Sequence, residues 1–93
     1  MVVGLMSWEL HLDGCHSLKE KRQVLKSLKD RLHNRFNVSA AETAHHDLWQ
    51  RAELTVCVVS TDRAHADNVL READRLVESA AGARIVDTST SYF

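Results

Sequence analysis

Cysteine is scarce in this chain. The two present, Cys15 in a turn and Cys57 in a strand-like run, form neither a CxxC pair nor a disulfide framework. A reducing compartment is the natural setting, and Cys57, inside LTVCVVS, reads as a small buried hydrophobe. No apolar run approaches the roughly 18 residues of a membrane span, and neither a basic n-region nor a small-residue cleavage site follows Met1. A cytoplasmic protein without membrane contact is therefore expected. The net charge of −1 supplies no overall field to recruit nucleic acid or a membrane, so any electrostatic function must come from uneven distribution. Linkers, internal repeats and low-complexity tracts are also missing. Ninety-three residues, 44% apolar and 27% charged, are expected to form one domain over 1–93 around a single modest core.

Periodicity supplies the elements. Residues 2–12 alternate, with Gly4, Met6, Trp8, Leu10 and Leu12 on a mainly apolar face and Val3, Leu5, Ser7, Glu9 and His11 on the other. Asp13-Gly14 turns the chain. Ser17 as N-cap and Glu20 three residues later form a capping box, opening a helix over 18–34 with Leu18, Val24, Leu25, Leu28 and Leu32 as its buried stripe. FNVSAAETA (36–44) and AELTVCVVS (52–60) read as an antiparallel pair joined through HHDLWQR. Ser60-Thr61-Asp62 offers N-caps for a second helix, buried through Ala66, Val69, Leu70, Ala73, Leu76, Val77 and Ala80. Gly82 suits its C′ position. RIVDTSTSY is the last strand. The order βαββαβ predicts an α+β, ferredoxin-like sandwich: a four-stranded antiparallel sheet with strands one and three central and both helices on one face.

Strand-turn-HSLKEKR, then NRFNVSAAE, then DLWQRA, in that order over nearly the whole chain, resembles the small bacterial YlxP-like family of unknown function. The resemblance implies the same ferredoxin-like fold, a cytoplasmic protein, and no established catalytic activity or cofactor. Members are often encoded beside translation and ribosome-maturation genes, which implies an association with RNA or the ribosome. The family usually carries a small residue where Cys15 stands.

HSLKEKR contains a conflict. Lys19, Lys21 and Arg22 crowd the first turns of the helix, where the dipole favours anions by roughly 0.3–1 kcal/mol per group. Projected at ~100° per residue from Leu18, the residues Lys29, Arg22, His33, Lys26 and Lys19 fall at roughly 20, 40, 60, 80 and 100°, a narrow band ~21 Å long beside the apolar stripe. Residues 17–35 hold seven Lys/Arg against Glu20 and Asp30, a local +5 in a chain of net −1, so the rest sums to −6. Arg22 and Lys26 are like charges at i,i+4. The second helix provides a control, because Asp67–Arg71, Arg71–Asp74 and Arg75–Glu78 interleave as a self-neutralising face. Two readings of the first helix stay open. One is a solvated face balanced by Glu9, Glu42 or Asp47. The other is an anion-binding flank for RNA phosphates, in which Ser17 and the first N–H groups hold one phosphate with Lys19 and Arg22, and Lys26 and Lys29 follow the backbone.

Base reading by the sheet is not expected. RNA-recognition sheets stack bases on aromatics of the central strands, and the third strand here, LTVCVVS, has none. Catalysis and metal binding are not expected either. Cys15, His16 and Ser17 sit at a helix N-terminus that would favour a thiolate, but a thiol phosphatase would place arginine where Lys21 stands, leaving a small phosphate-ester enzyme as the third-ranked alternative. His45, His46 and Asp47 lack ligand spacing, so HHDLWQR reads as a polar turn with Trp49 as a packing anchor, for the domain's own core or for a neighbour's. The uncovered sheet face carries Val3, Leu5, Cys57 and Val59 at its expected centre, a patch that fits a two-fold homo-oligomer. The primary expectation is a non-enzymatic RNA- or ribosome-associated factor. The alternative is a homo-oligomeric regulatory or scaffold module whose open face binds itself, a protein or a small effector.

Overall fold

A computed structural model describes residues 1–93. The elements run β1 (Val2–His11), α1 (Leu18–Arg35), β2 (Ser39–Ala44), β3 (Arg51–Ser60), α2 (Arg63–Glu78) and β4 (Arg84–Tyr92). The strands form one antiparallel sheet in the order β2-β3-β1-β4, which puts β1 and β3 at the centre. This is the ferredoxin-like arrangement that the βαββαβ order dictates.

One face of β1 and β3 is buried beneath the helices through Trp8, Leu10, Ala52, Leu54, Val56 and Val58. Gly4 is on that face because its neighbours leave no room: a Cβ there would meet Leu70 Cδ1 at 3.0 Å and Val58 Cγ1 at 3.2 Å. From the helices, Leu25, Leu28 and Leu32 of α1 and Ala66, Leu70, Ala73, Leu76 and Val77 of α2 complete the core. Leu18 and Val24 lie half-buried at its margin.

Local boundaries depart from the periodicity in two places. β2 begins at Ser39, because the N–H of Phe36 still donates to the Leu32 carbonyl as the C-cap of α1. Phe36 and Val38 therefore pack against the core from the connection. α2 ends at Glu78 with Ser79 as C-cap, whose N–H donates to Arg75 O and whose hydroxyl donates to Leu76 O. Gly82, expected at C′, instead takes φ 85° in the turn entering β4, a left-handed conformation that glycine adopts without strain.

The surface of α2 is also arranged differently. Asp67 pairs with Arg71 as the spacing predicts, but Arg75 reaches back to Glu72 at 2.8 Å. Asp74 turns inward and accepts a hydrogen bond from Trp8 Nε1 at 2.8 Å, so the buried indole has a partner. Asp67 also accepts from the Tyr92 hydroxyl, while the Arg63 guanidinium lies 3.6 Å from the centroid of the same ring. The bond to Asp67, and then burial, hold the Tyr92 phenol above its ordinary range. Tyr92 is the only tyrosine, so its phenolate absorbance reads this site alone. Its ionisation is expected to be displaced upward and to fall back in Asp67→Asn. A folded-state value above the unfolded one stabilises the fold below the unfolded pKa, and this contribution is lost as pH rises through the folded one. An ordinary titration unaffected by Asp67→Asn would contradict the assignment.

Candidate anion-binding flank and the adjoining loop

α1 starts with half of the expected capping box, and the returning bond reaches His16, one residue before the Ser17 N-cap. Glu20 N–H donates to Ser17 Oγ at 3.1 Å, and the Glu20 carboxylate accepts from His16 N–H at 2.9 Å. Ser17 is thus the N-cap of α1, and the Glu20 carboxylate beside it opposes a phosphate at the helix start.

The cation that crowds the first turn most conspicuously is not on the surface at all. Lys21 is 1% exposed. Its ammonium donates to the carbonyls of His45 at 2.6 Å and Leu48 at 2.7 Å, and lies 2.8 Å from Glu42 Oε2. Two carbonyl acceptors and a carboxylate at ion-pair distance thus compensate the buried charge. The signal was present in the sequence. Leu18, Lys21, Leu25, Leu28 and Leu32 follow one another at spacings of three and four, so Lys21 occupies an apolar-stripe position. Glu42, one of the proposed balancing carboxylates, therefore serves Lys21 beneath the helix.

The remaining cations divide. Lys26 forms an exposed i,i+4 pair with Asp30 at 2.9 Å. The bond and charge of Asp30 raise the Lys26 pKa, and Lys26 in turn lowers that of Asp30. Lys19, Arg22 and Lys29 have no carboxylate within ion-pair distance. Arg22, Lys26, Lys29 and His33 line one wall of a groove of about 470 Å³, and Ala40 and Glu42 of the edge strand β2 help form the other. Four of the five cationic band positions thus converge on one concavity.

The β2–β3 connection leads from Ala44 to Arg51. His45 adopts a left-handed backbone, φ 65°, which turns its carbonyl toward Lys21 while its ring contacts Glu9 at 3.1 Å. Arg51 approaches the same carboxylate at 3.4 Å. Gln50 donates to the Cys15 carbonyl at 3.1 Å. Trp49 does not close the domain's own core: it is 52% exposed, with Leu48 beside it at 45%. His46 contacts the Glu42 carbonyl, so the two adjacent imidazoles diverge. No group of three or more His, Cys, Asp or Glu side chains is arranged to hold a metal ion.

On the face away from the helices, the register produces bands across β3, β1 and β4. Val59, Val3 and Phe93 form the first, Cys57, Leu5 and Ser91 the second, and Thr55, Ser7 and Ser89 the third. Glu53, Glu9 and Asp87 follow, then Arg51, His11 and Arg84. Val3, Leu5, Cys57 and Val59 are grouped as expected, but at one end of the sheet. The centre is polar, with Ser7 and Thr55 hydroxyls 2.8 Å apart. Val59 at 62% and Phe93 at 74% are the exposed members of the apolar end. Cys15 is buried, and burial followed by the charge of Glu20 pushes its thiol above the ordinary range.

The family model for a protein of unknown function, DUF503, matches residues 3–90. The chain belongs to this family. It is 33% identical over 92 residues to the uncharacterized protein YlxP of Bacillus subtilis (strain 168), covering 99% of this chain and 100% of the relative. Solved structures share the fold of this DUF503 chain at low identity. The de novo design Foldit4 superposes with a TM-score of 0.59 at 9% identity, over 100% of this chain and 97% of the design. The designed protein LFR1 1, described as having a ferredoxin fold, gives 0.53 at 13% identity, covering 100% and 83%. SnoaB, a cofactor-independent oxygenase from Streptomyces nogalater, gives 0.52 at 9% identity, covering 99% and 90%. At these identities the likeness concerns the fold alone.

Proposed function

We propose that the protein is a non-enzymatic cytoplasmic accessory factor that binds the phosphate backbone of RNA, free or within the ribosome, through Lys19, Arg22, Lys26 and Lys29 of α1. The observation that carries this reading is the lack of carboxylate partners for Lys19, Arg22 and Lys29, in contrast to the neutralised Arg71 and Arg75 of α2. Lys26 joins them because its partner Asp30 is solvent-exposed, and an exposed pair gives way readily to a multivalent anion. Phosphate contacts of this kind carry little sequence information.

Binding to single-stranded RNA should weaken with salt at a slope of roughly −0.7 per phosphate contact, which for four contacts is ~50-fold over a fourfold rise in salt. Replacing Lys19, Arg22, Lys26 and Lys29 together by Gln should abolish retention on RNA. Unchanged retention would end this reading. Self-association is the second reading, supported by the exposure of Val59 and Phe93 at the apolar end of the open face.

A further inference from the structure

His33 stands at the end of the cationic row on α1, one turn beyond Lys29 and exposed to solvent. A turn rises ~5.4 Å, so its ring continues the line of Arg22, Lys26 and Lys29 along the same groove wall. Those three are charged at any ordinary pH, whereas an imidazole gains its charge only on protonation, between about pH 8 and about pH 5. The row thus has one member whose charge is conditional.

Few charged groups surround that ring. On α1, Lys29 lies four residues before it and Asp30 three; across the groove, Glu42 is the only ionisable residue of β2. Glu42 is occupied from beneath by the Lys21 ammonium at 2.8 Å, and Asp30 by the Lys26 ammonium at 2.9 Å. The hydrogen bond from Lys26 holds the Asp30 carboxyl low, with smaller help from the charges of His33 and Lys29. No carboxylate lies within ion-pair distance of His33 itself. Counting Lys21, four fixed cations here face two carboxylates, and an imidazolium raises the excess from two to three. A phosphate drawn in by this excess brings negative charge to the ring, and a nearby anion favours the imidazolium. Two further effects act in the same direction. When Lys26 turns from Asp30 to a phosphate, it leaves an unpaired carboxylate three residues from His33. The last turn of α1, which holds His33, presents the negative end of the helix dipole.

We infer that His33 is a fifth, conditional phosphate ligand, so that the protein takes up a proton as it binds RNA and binds more tightly as the pH falls. This rests on the phosphate reading above. The proton comes from solvent, and no covalent bond of the RNA changes.

The test uses the full chain and an oligouridine strand, because uracil takes up no proton in this range, with affinities measured at about pH 8 and about pH 5.5. The parent should gain about five-fold at the lower pH, the worth of one good exposed ion contact, and its salt slope should steepen by roughly 0.7. All six histidines gain charge over this range, so substitutions decide the assignment. His33→Gln should remove the gain and the added slope, whereas His65→Gln on α2 should keep both. His33→Lys should bind about five-fold more tightly than the parent at the higher pH and gain nothing further at the lower. Salt-dependent binding of equal affinity at both pH values would overturn the inference and leave the phosphate reading intact. A gain of full size in His33→Gln would also overturn it, because the proton would then reside on another imidazole. Failure of oligouridine to bind at either pH would overturn both readings.

Discussion

Replacing Lys21 by methionine is expected to destabilise the fold by about 3 kcal/mol, the lower end of what breaking a buried ion pair costs. The methionine keeps the apolar stem of the side chain but strands Glu42 and two carbonyls that now accept from the ammonium. The lower end applies because the Glu42 side chain is 18% exposed and can recover some hydration. Since a domain of this size has only about 5–15 kcal/mol in total, the denaturant midpoint should fall sharply. Trp49 should report the same event locally, its emission becoming that of a mobile indole before global unfolding. Adding Glu42→Leu to Lys21→Met should restore part of the loss, because removing both charges eliminates the stranded carboxylate. The restoration should be incomplete, since the carbonyls of His45 and Leu48 remain without donors. A midpoint within ~0.5 kcal/mol of the parent would show that water replaces the ammonium and that the loop is not held from below.

The same lysine shows where periodicity was informative and where it misled. Alternation in β1 separates Trp8 and Leu10 from Ser7 and Glu9, and the structure keeps that division along the whole strand. Such a pattern is legible because a one-residue slip would exchange every side chain between core and water. The stripe of α1 was equally regular, but a lysine within it was counted by its charge and not by its position. Long side chains allow this ambiguity: the stem belongs to the core and the head to whatever acceptors lie within reach. Here those acceptors come from residues 24 to 27 positions further along the chain, and no local rule brings them to the helix.

The candidate site was legible to a similar degree. The band of Lys19, Arg22, Lys26 and Lys29 follows from helix geometry alone, and Arg22, Lys26 and Lys29 do line one groove. Two features required tertiary information. Ser17 has the chemistry of a phosphate ligand and also that of a cap, and its oxygen serves as the cap by accepting from Glu20 N–H. Trp49 has the size of a core residue, so burial was its default. It stays outside because the loop backbone is directed by the left-handed His45 and by Lys21, and neither constraint appears in a hydrophobicity pattern. The banding of the open face is a product of register. Val3 and Val59 are adjacent because the β1–β3 ladder pairs them, whereas hydroxyls and then carboxylates occupy the positions further along.

Truncation of Trp8 should have the largest effect on the core. It is the bulkiest fully buried side chain, and Trp8→Ala is expected to cost about 3–5 kcal/mol through lost transfer energy and the cavity left behind. Two milder variants separate volume from hydrogen bonding. Trp8→Phe retains most of the apolar bulk but leaves Asp74 Oδ1 without its donor, so about 2 kcal/mol is expected. Asp74→Ala removes only the acceptor and should cost about 1–2 kcal/mol for the unpaired indole N–H. Denaturant midpoints at constant m-value test the order. An Asp74→Ala loss as large as that of Trp8→Ala would reassign the stabilisation from packing to the bond that joins β1 to α2.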